Sequence, residues 1–220
     1  MTAARKRRAV TPGAGVPGSR SKPARSVGTP ARARVSKSTV ARGRVRAEAA
    51  VLKGEHDRAQ VAPRPVVVAI ITVSDTRRGA DDTSGALAAN LLTAAGSMVS
   101  LRAWVHDDIA AIRRAVKRAL ARRAIDVVVL TGGTGVAARD VTPEAVEPLL
   151  DRALPGFGEG FRMRSWDSVG TAAWLSRAGA GVARGRLVVY LPGSSGAVRQ
   201  ALEQLLIPEL AHIVRLLGRF

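Results

Sequence analysis

Cysteine is absent from this 220-residue chain. That excludes a disulfide frame, a thiolate nucleophile and any cysteine-bound metal. No stretch reads G-x-x-x-x-G-K-[ST], which excludes a P-loop ATPase. The three histidines, His56, His106 and His212, are scattered and have no metal-ligand spacing. No apolar run approaches the ~20 residues needed to cross a bilayer. No membrane partner is expected, and the chain is read as cytoplasmic.

Acidic residues are scarce at the start of the chain. Residues 1–64 hold 16 Lys/Arg against 3 Asp/Glu, and residues 65–220 hold 19 against 14. The net charge of +18 thus belongs mostly to the first segment. That segment also lacks Phe, Trp and Tyr. It cannot bury enough apolar surface to offset chain entropy, so it is read as a disordered basic tail. It has no apolar core of a secretory signal. Its Arg/Ser-rich makeup resembles an organellar transit peptide, but Pro12, Pro17, Pro23 and Pro30 interrupt any amphipathic helix. Basic clusters at residues 5–8 and 42–46 admit nucleic-acid contact. Without aromatics for stacking, a nucleic-acid partner is not expected. A solvated tail is the plainest reading.

Residues 65–220 alternate strand and helix patterns. V-V-V-A-I-I-T-V at 66–73 reads as a buried strand, and M-V-S-L-R-A-W-V at 98–105 as a second. D-V-V-V-L at 126–130 is a third and L-V-V-Y-L at 187–191 a fourth. Helices are expected from Ser84, as cap, to about Ala95, and over 109–120. Others are expected over 143–152, with Thr142 as cap, over 155–164, and over 197–217, with Pro208 kinking or splitting the last. Ile109, Ile112, Val116 and Leu120 share one helical face, while Arg113, Arg114, Lys117 and Arg118 point away as a solvated face. This alternation means an α/β fold with a largely parallel sheet.

Ligands of such folds bind outside the carboxyl ends of the strands. Four loops fall there: 74–79, 106–108, 131–140 and 192–196. The third, T-G-G-T-G-V-A-A-R-D, is the most informative. Its glycines let amides approach a ligand and permit positive φ. Arg139 and Asp140 add a cation and an anion, a combination suited to a phosphate and a metal ion. G-T-G-V-A-A matches a dinucleotide fingerprint, but the helix begins too late for it. A different phosphate cradle, or a purely structural turn, remains. Asp107 shares a capping position with Asp108, which leaves one acid free to face the cleft. Asp75 reads as a turn residue, and Asp140 has no evident structural duty.

At T-G-G-T-G-V-A-A-R-D-V-T-P-E-A the chain resembles the molybdopterin-binding MogA/MoaB family of molybdenum-cofactor biosynthesis. Further marks are V-S-D-T at 73–76, P-G-F-G-E-G-F-R at 155–162, L-S-R-A at 175–178 and Y-L-P-G-S at 190–194. The resemblance spans about residues 66–217. It implies a three-layer α/β fold and a homo-oligomer, a trimer or an assembly of trimers. It also implies small-molecule substrates, with other molybdenum-cofactor enzymes as partners. Catalytic members join molybdopterin to the adenylyl group of ATP, with Mg²⁺, and release pyrophosphate. The two aspartates they require match Asp107 and Asp140, which would also hold the metal. Pterin and nucleotide binding then falls to Ser74, Asp75, Thr131, Gly132, Gly133, Thr134, Gly135, Arg139, Thr142, Glu144, Ser176, Pro192, Gly193 and Ser194. The loops at 131–135 and 192–194 are expected to hold the phosphate end of the pterin. His106 stands where a proline often precedes the aspartate. The alternative is a non-catalytic molybdopterin-binding or carrier homologue.

Overall fold

The computed structural model describes residues 64–220. The expected disordered tail, 1–64, lies outside the described residues except for Arg64. Six strands form one sheet: β1 (Val67–Val73), β2 (Met98–Val105), β3 (Val127–Thr131), β4 (Arg152–Ala153), β5 (Gly179–Ala183) and β6 (Arg186–Leu191), ordered β2-β1-β3-β6-β5-β4. The pairs β1–β2, β1–β3 and β3–β6 are parallel, and β5–β6 and β4–β5 are antiparallel. Helices cover both faces. They are α1 (Thr83–Ala94), α2 (Ile109–Ala121), α3 (Thr142–Val146), α4 (Pro155–Val169), α5 (Ser195–Ala201) and α6 (Ile207–Leu216).

The three layers follow from strand alternation. Val68 and Ile70 of β1 face Leu92 of α1, Phe161 of α4, Val198 of α5 and Leu210 of α6. Val67, Ala69 and Ile71 face Ile112, Val116 and Leu120 of α2 and Val146 of α3. Strands buried on both faces have no polar side to show, which is why β1 and β3 are almost wholly apolar, mostly β-branched runs.

Several expectations are corrected. Asp82, not Ser84, caps α1 by accepting the Gly85 N–H at 2.8 Å. Its fully buried carboxylate also receives Thr72, Arg102 and Trp104. Thr142 is not a cap: α3 starts at Thr142 itself, and its hydroxyl donates to the Gly132 carbonyl at 2.8 Å. The helix expected over 143–152 stops at Val146, gives way to a 3₁₀ turn at 147–149, and is followed by β4. Helix α4 runs on to Val169. Strands β4 and β5 had no sequence reading. The last helix is split as expected: a π turn at Leu202–Leu206 precedes Pro208. The wider turn relieves the clash and missing N–H that proline brings to a helix interior.

Arg64 belongs to the fold rather than to a tail. Its guanidinium binds both oxygens of the buried Asp126 carboxylate, at 2.7 and 3.0 Å, and the Arg219 carbonyl at 2.9 Å. Burial pushes the Asp126 carboxyl up. Hydrogen bonds from Arg64, the Val67 amide and Arg219 outweigh that effect and hold it below the usual range. A depressed native pKa contributes stability that is present above the unfolded value, about 3.9, and is lost as pH falls through the native value. Stability should therefore hold at neutral pH and fall below about pH 4, more gently in Arg64→Ala. That variant should cost about 2 kcal/mol. The value lies between a stripped buried carboxylate and a surface pair, because Arg64 is 40% exposed and Arg219 remains. Denaturant titrations at pH 7 and pH 3.5 check both statements; an unchanged midpoint in the variant would refute them.

Candidate active site

Because β2, β1, β3 and β6 are parallel, the loops after them share one edge of the sheet. The chain passes from β1 to β2 on one side, then to β3 on the other. The crevice between the β1 and β3 loops is therefore a topological switch point, where such folds bind ligands.

Asp107 and Asp140 are not on neighbouring strands, as β1 separates β2 from β3. They converge nevertheless, because the Asp107 carboxylate reaches across the end of β1. A Cβ on Gly133 would lie 2.8 Å from Asp107 Oδ1 and 2.5 Å from the Thr142 hydroxyl. A Cβ on Gly135 would lie 2.7 Å from Asp140 Oδ2. Both glycines are thus required by the close approach of an aspartate side chain, and Gly133 also has φ +64°. Asp140 accepts the Ala137 amide at 3.0 Å, so the residue with no evident structural duty does order its own loop. Asp108 caps α2 through the Ala111 amide, which leaves Asp107 free as expected.

Asp75 accepts the Asp107 amide at 3.2 Å and contacts His106 at 3.1 Å. His106 in turn meets Arg78. The histidine therefore ties the β1 loop to the β2 loop and fixes the approach of Asp107. The Asp75 carboxyl lies below its usual range, through the Asp107 N–H first and His106 second. The Asp107 carboxyl lies above it: burial is the main cause, then the Asp75 and Asp140 charges, with Arg139 opposing. The negative charges of Asp75 and Asp140 beside Asp107 mark a place where a cation is favoured. Among the described residues, no group of three or more His, Asp or Glu is arranged to hold a metal ion unaided. Mg²⁺ suits such a site, since it commonly takes one or two carboxylates and completes its shell with phosphate oxygens and water.

The buried hydroxyls of Thr131 and Thr134 have no hydrogen-bond partner. Unpaired buried hydroxyls at the glycine loop are donors that no described protein group uses. Ser74 is spent on a turn, accepting the Thr76 and Arg77 amides, and Ser194 caps α5 through Ala197. Gly193 packs on Gly132, its position for a Cβ 3.3 Å from the Gly132 Cα, so the two glycine loops do meet. Glu144 does not join the acid cluster; it pairs with Arg177. It lines a cleft of about 640 Å³ with Arg162, Trp174, Ser176 and Tyr190. Ser176, Pro192 and Ser194 line a second cleft of about 450 Å³, floored by Phe161, Ala173 and Ala197. Arg77 and Arg177 were missed. Arg77 crosses the mouth to the Gly193 carbonyl at 3.1 Å. The L-S-R-A stretch was the available signal for Arg177.

Residues 69–212 match the family described as a probable molybdopterin binding domain. The chain belongs to the MogA/MoaB family of molybdopterin-binding domains. It is 48% identical over 155 residues to the molybdenum cofactor biosynthesis protein B of Halalkalibacterium halodurans, covering 70% of this chain and 91% of that one. The corresponding Bacillus subtilis protein is 48% identical over 157 residues, covering 71% and 92%. A crystal structure of a molybdenum cofactor biosynthesis protein B superposes with a TM-score of 0.70 at 46% identity, covering 73% and 100%. The family's α/β architecture is therefore this chain's, and the matched span holds all the acids of the cluster. Among the described residues, no helix is long and apolar enough to cross a membrane.

Proposed function

We propose that this protein acts in molybdenum-cofactor biosynthesis by joining molybdopterin to the adenylyl group of Mg-ATP, with release of pyrophosphate. The terminal phosphate of the pterin attacks the α-phosphorus, and the bond to the β,γ-diphosphate breaks. The observation that carries the reading is the meeting of Asp75, Asp107 and Asp140 at a glycine loop with unpaired hydroxyls. A pterin carrier needs the loop, but it has no use for mutually repelling carboxylates.

Amides of Gly133 to Gly135 and the Thr131 and Thr134 hydroxyls would receive phosphate oxygens. The cleft beside Pro192, Ser194 and Ser176 is large enough for the pterin. Arg77 and Arg139 would balance charge on the nucleotide phosphates. Asp107 and Asp140 would hold Mg²⁺, which when bound neutralises the phosphates between which the group passes. Incubation with molybdopterin, ATP and Mg²⁺ should yield adenylyl-molybdopterin and pyrophosphate. Molybdopterin binding with no pyrophosphate formed would leave the carrier reading.

The same reading includes self-association, with a trimer as the assembly the resemblance implies. Met163, Trp166, Val169, Trp174 and Leu175 are 40–72% exposed around α4 and the turn after it. Two tryptophans of ~150–250 Å² each make this a patch as large as a monomer usually leaves bare. Trp174 and Ser176 also line the larger cleft, so a second copy seated there would wall it in. Light scattering should show an oligomer at micromolar concentration, and Trp166→Lys with Trp174→Lys should shift it toward monomer. An oligomer unchanged by both substitutions would place the interface elsewhere.

A further inference from the structure

Two motifs enter the chemistry above only through Phe161 and Ser176, which line the second cleft: P-G-F-G-E-G-F-R at 155–162 and L-S-R-A at 175–178. The structure joins them. We infer that Arg177 is a positioning residue that holds the Gly135–Asp140 loop, and with it the Asp140 carboxylate, in its working geometry, and that Gly158 and Arg162 brace Arg177. This rests on the adenylyl-transfer reading for its effect on turnover.

The Arg177 guanidinium is divided among three acceptors. Nε donates to the Gly135 carbonyl at 2.8 Å, Nη2 to the Asp140 carbonyl, and Nη1 to the Glu144 carboxylate. Its backbone amide donates to the Thr134 carbonyl at 2.9 Å. One residue thus grips both ends of the loop and the first turn of the helix after it. Arg177 lies outside both the loop and α3, on the lead into β5, so the grip ties the loop to the antiparallel half of the sheet. The Asp140 backbone is held by Arg177 while its carboxylate is held by Ala137, so the residue is fixed at two points.

The segment carrying Arg177 is held in turn. Arg162 Nη1 donates to the carbonyls of Ser176 and Ala178, the residues on either side of it. Helix α4 can come this close because residue 158 is glycine: a Cβ there would lie 2.5 Å from the Ala178 carbonyl oxygen. A surface Arg–Glu pair by itself contributes little. Two backbone carbonyls at opposite ends of a six-residue loop are different, because they fix its shape. A planar guanidinium serves three divergent acceptors, whereas a lysine ammonium is a compact point charge on a flexible stem.

The test uses the full chain with Arg177→Met and Arg177→Lys, each alone and with Asp140→Asn. Hydrogen exchange reads the loop, and steady-state kinetics reads its consequence. In both Arg177 variants the amides of residues 135–140 should exchange about tenfold faster or more, as local opening becomes easier. Turnover should fall about 10–100-fold, the scale of an ångström-sized misplacement of a reacting group. KM for ATP and for molybdopterin should change much less than kcat. In the Asp140→Asn background the Arg177 change should add nothing further, because it acts through Asp140. Arg177→Lys serves if Arg177→Met does not fold. Unchanged loop exchange in the folded variants, full activity in Arg177→Lys, or an equal further loss in the Asp140→Asn background would overturn the inference. If Asp140→Asn alone leaves turnover intact, the adenylyl-transfer reading fails, and the exchange result still decides whether Arg177 holds the loop.

Discussion

Asp140→Asn is expected to lower adenylyl-transfer turnover by at least ~100-fold, the scale of losing one charge-stabilising group, while molybdopterin still binds. The substitution keeps the side chain's size and removes its charge. The oxygen that accepts the Ala137 amide can still be supplied by the amide group, so the loop keeps its shape. The charge that helps to raise Asp107 disappears. A phosphate entering the glycine loop then meets less repulsion, so binding should persist or tighten. The site loses one of its two proposed holds on Mg²⁺, and turnover should fall for that reason. Asp107→Asn should behave alike. Pyrophosphate release and pterin fluorescence, measured on the same protein, separate the two effects. Near-normal turnover in Asp140→Asn would leave only the binding role.

Gly132→Ala is expected to lose about 3 kcal/mol or more of folding stability, on the scale of backbone strain plus a core clash. Gly132 has φ +106°, a region that side chains rarely adopt. Its Cβ would lie 2.1 Å from the carbonyl oxygen of Val73, at the end of central strand β1. That oxygen is backbone between two paired strands and cannot swing aside. Gly133→Ala meets different atoms, the ends of the Thr142 and Asp107 side chains. Those can rotate, so it should cost less stability and more activity, by moving Asp107. Gly133→Val combines the strain of φ +64° with a larger clash, so it too should lose stability and is a poor probe of binding alone. Thermal unfolding of the alanine pair, beside turnover, tests the ordering. A Gly132→Ala protein as stable as its parent would show that β1 and the loop are not locked together.

The proposed assembly face and the loop geometry meet around α4. The turn after that helix presents Trp174 to the exposed apolar face, and three residues later Arg177 grips the Asp140 loop. A change at the apolar face has a short covalent path to the site. Any variant made there should be checked for loop exchange as well as for mass.

Four of the six strands were legible in the residue pattern: β1, β3 and β6 are buried on both faces and read as apolar runs, while the more exposed β2 alternates loosely. The glycine loop was legible too, since positive φ and close approach leave few residue choices, and its acids stood out through the family resemblance. Strand β5 was not. Its sequence, G-A-G-V-A, carries no β signal, and its glycines answer to distant neighbours. A Cβ on Gly179 would strike the Tyr190 ring at 2.3 Å from its hydroxyl, and one on Gly181 would strike Leu150. Caps failed similarly: Asp82 was passed over for Ser84 because its other partners, Thr72, Arg102 and Trp104, come from two separate strands. Local periodicity and backbone freedom dictated the elements, and the residue types at the strand ends could be read directly. It took the folded chain to place β1 between β2 and β3, to carry Asp107 over it to Gly133, and to make Arg64 and Arg177 working parts of the fold. Those relations depend on strand order and on side chains far apart in the chain, and no local pattern encodes a distance between them.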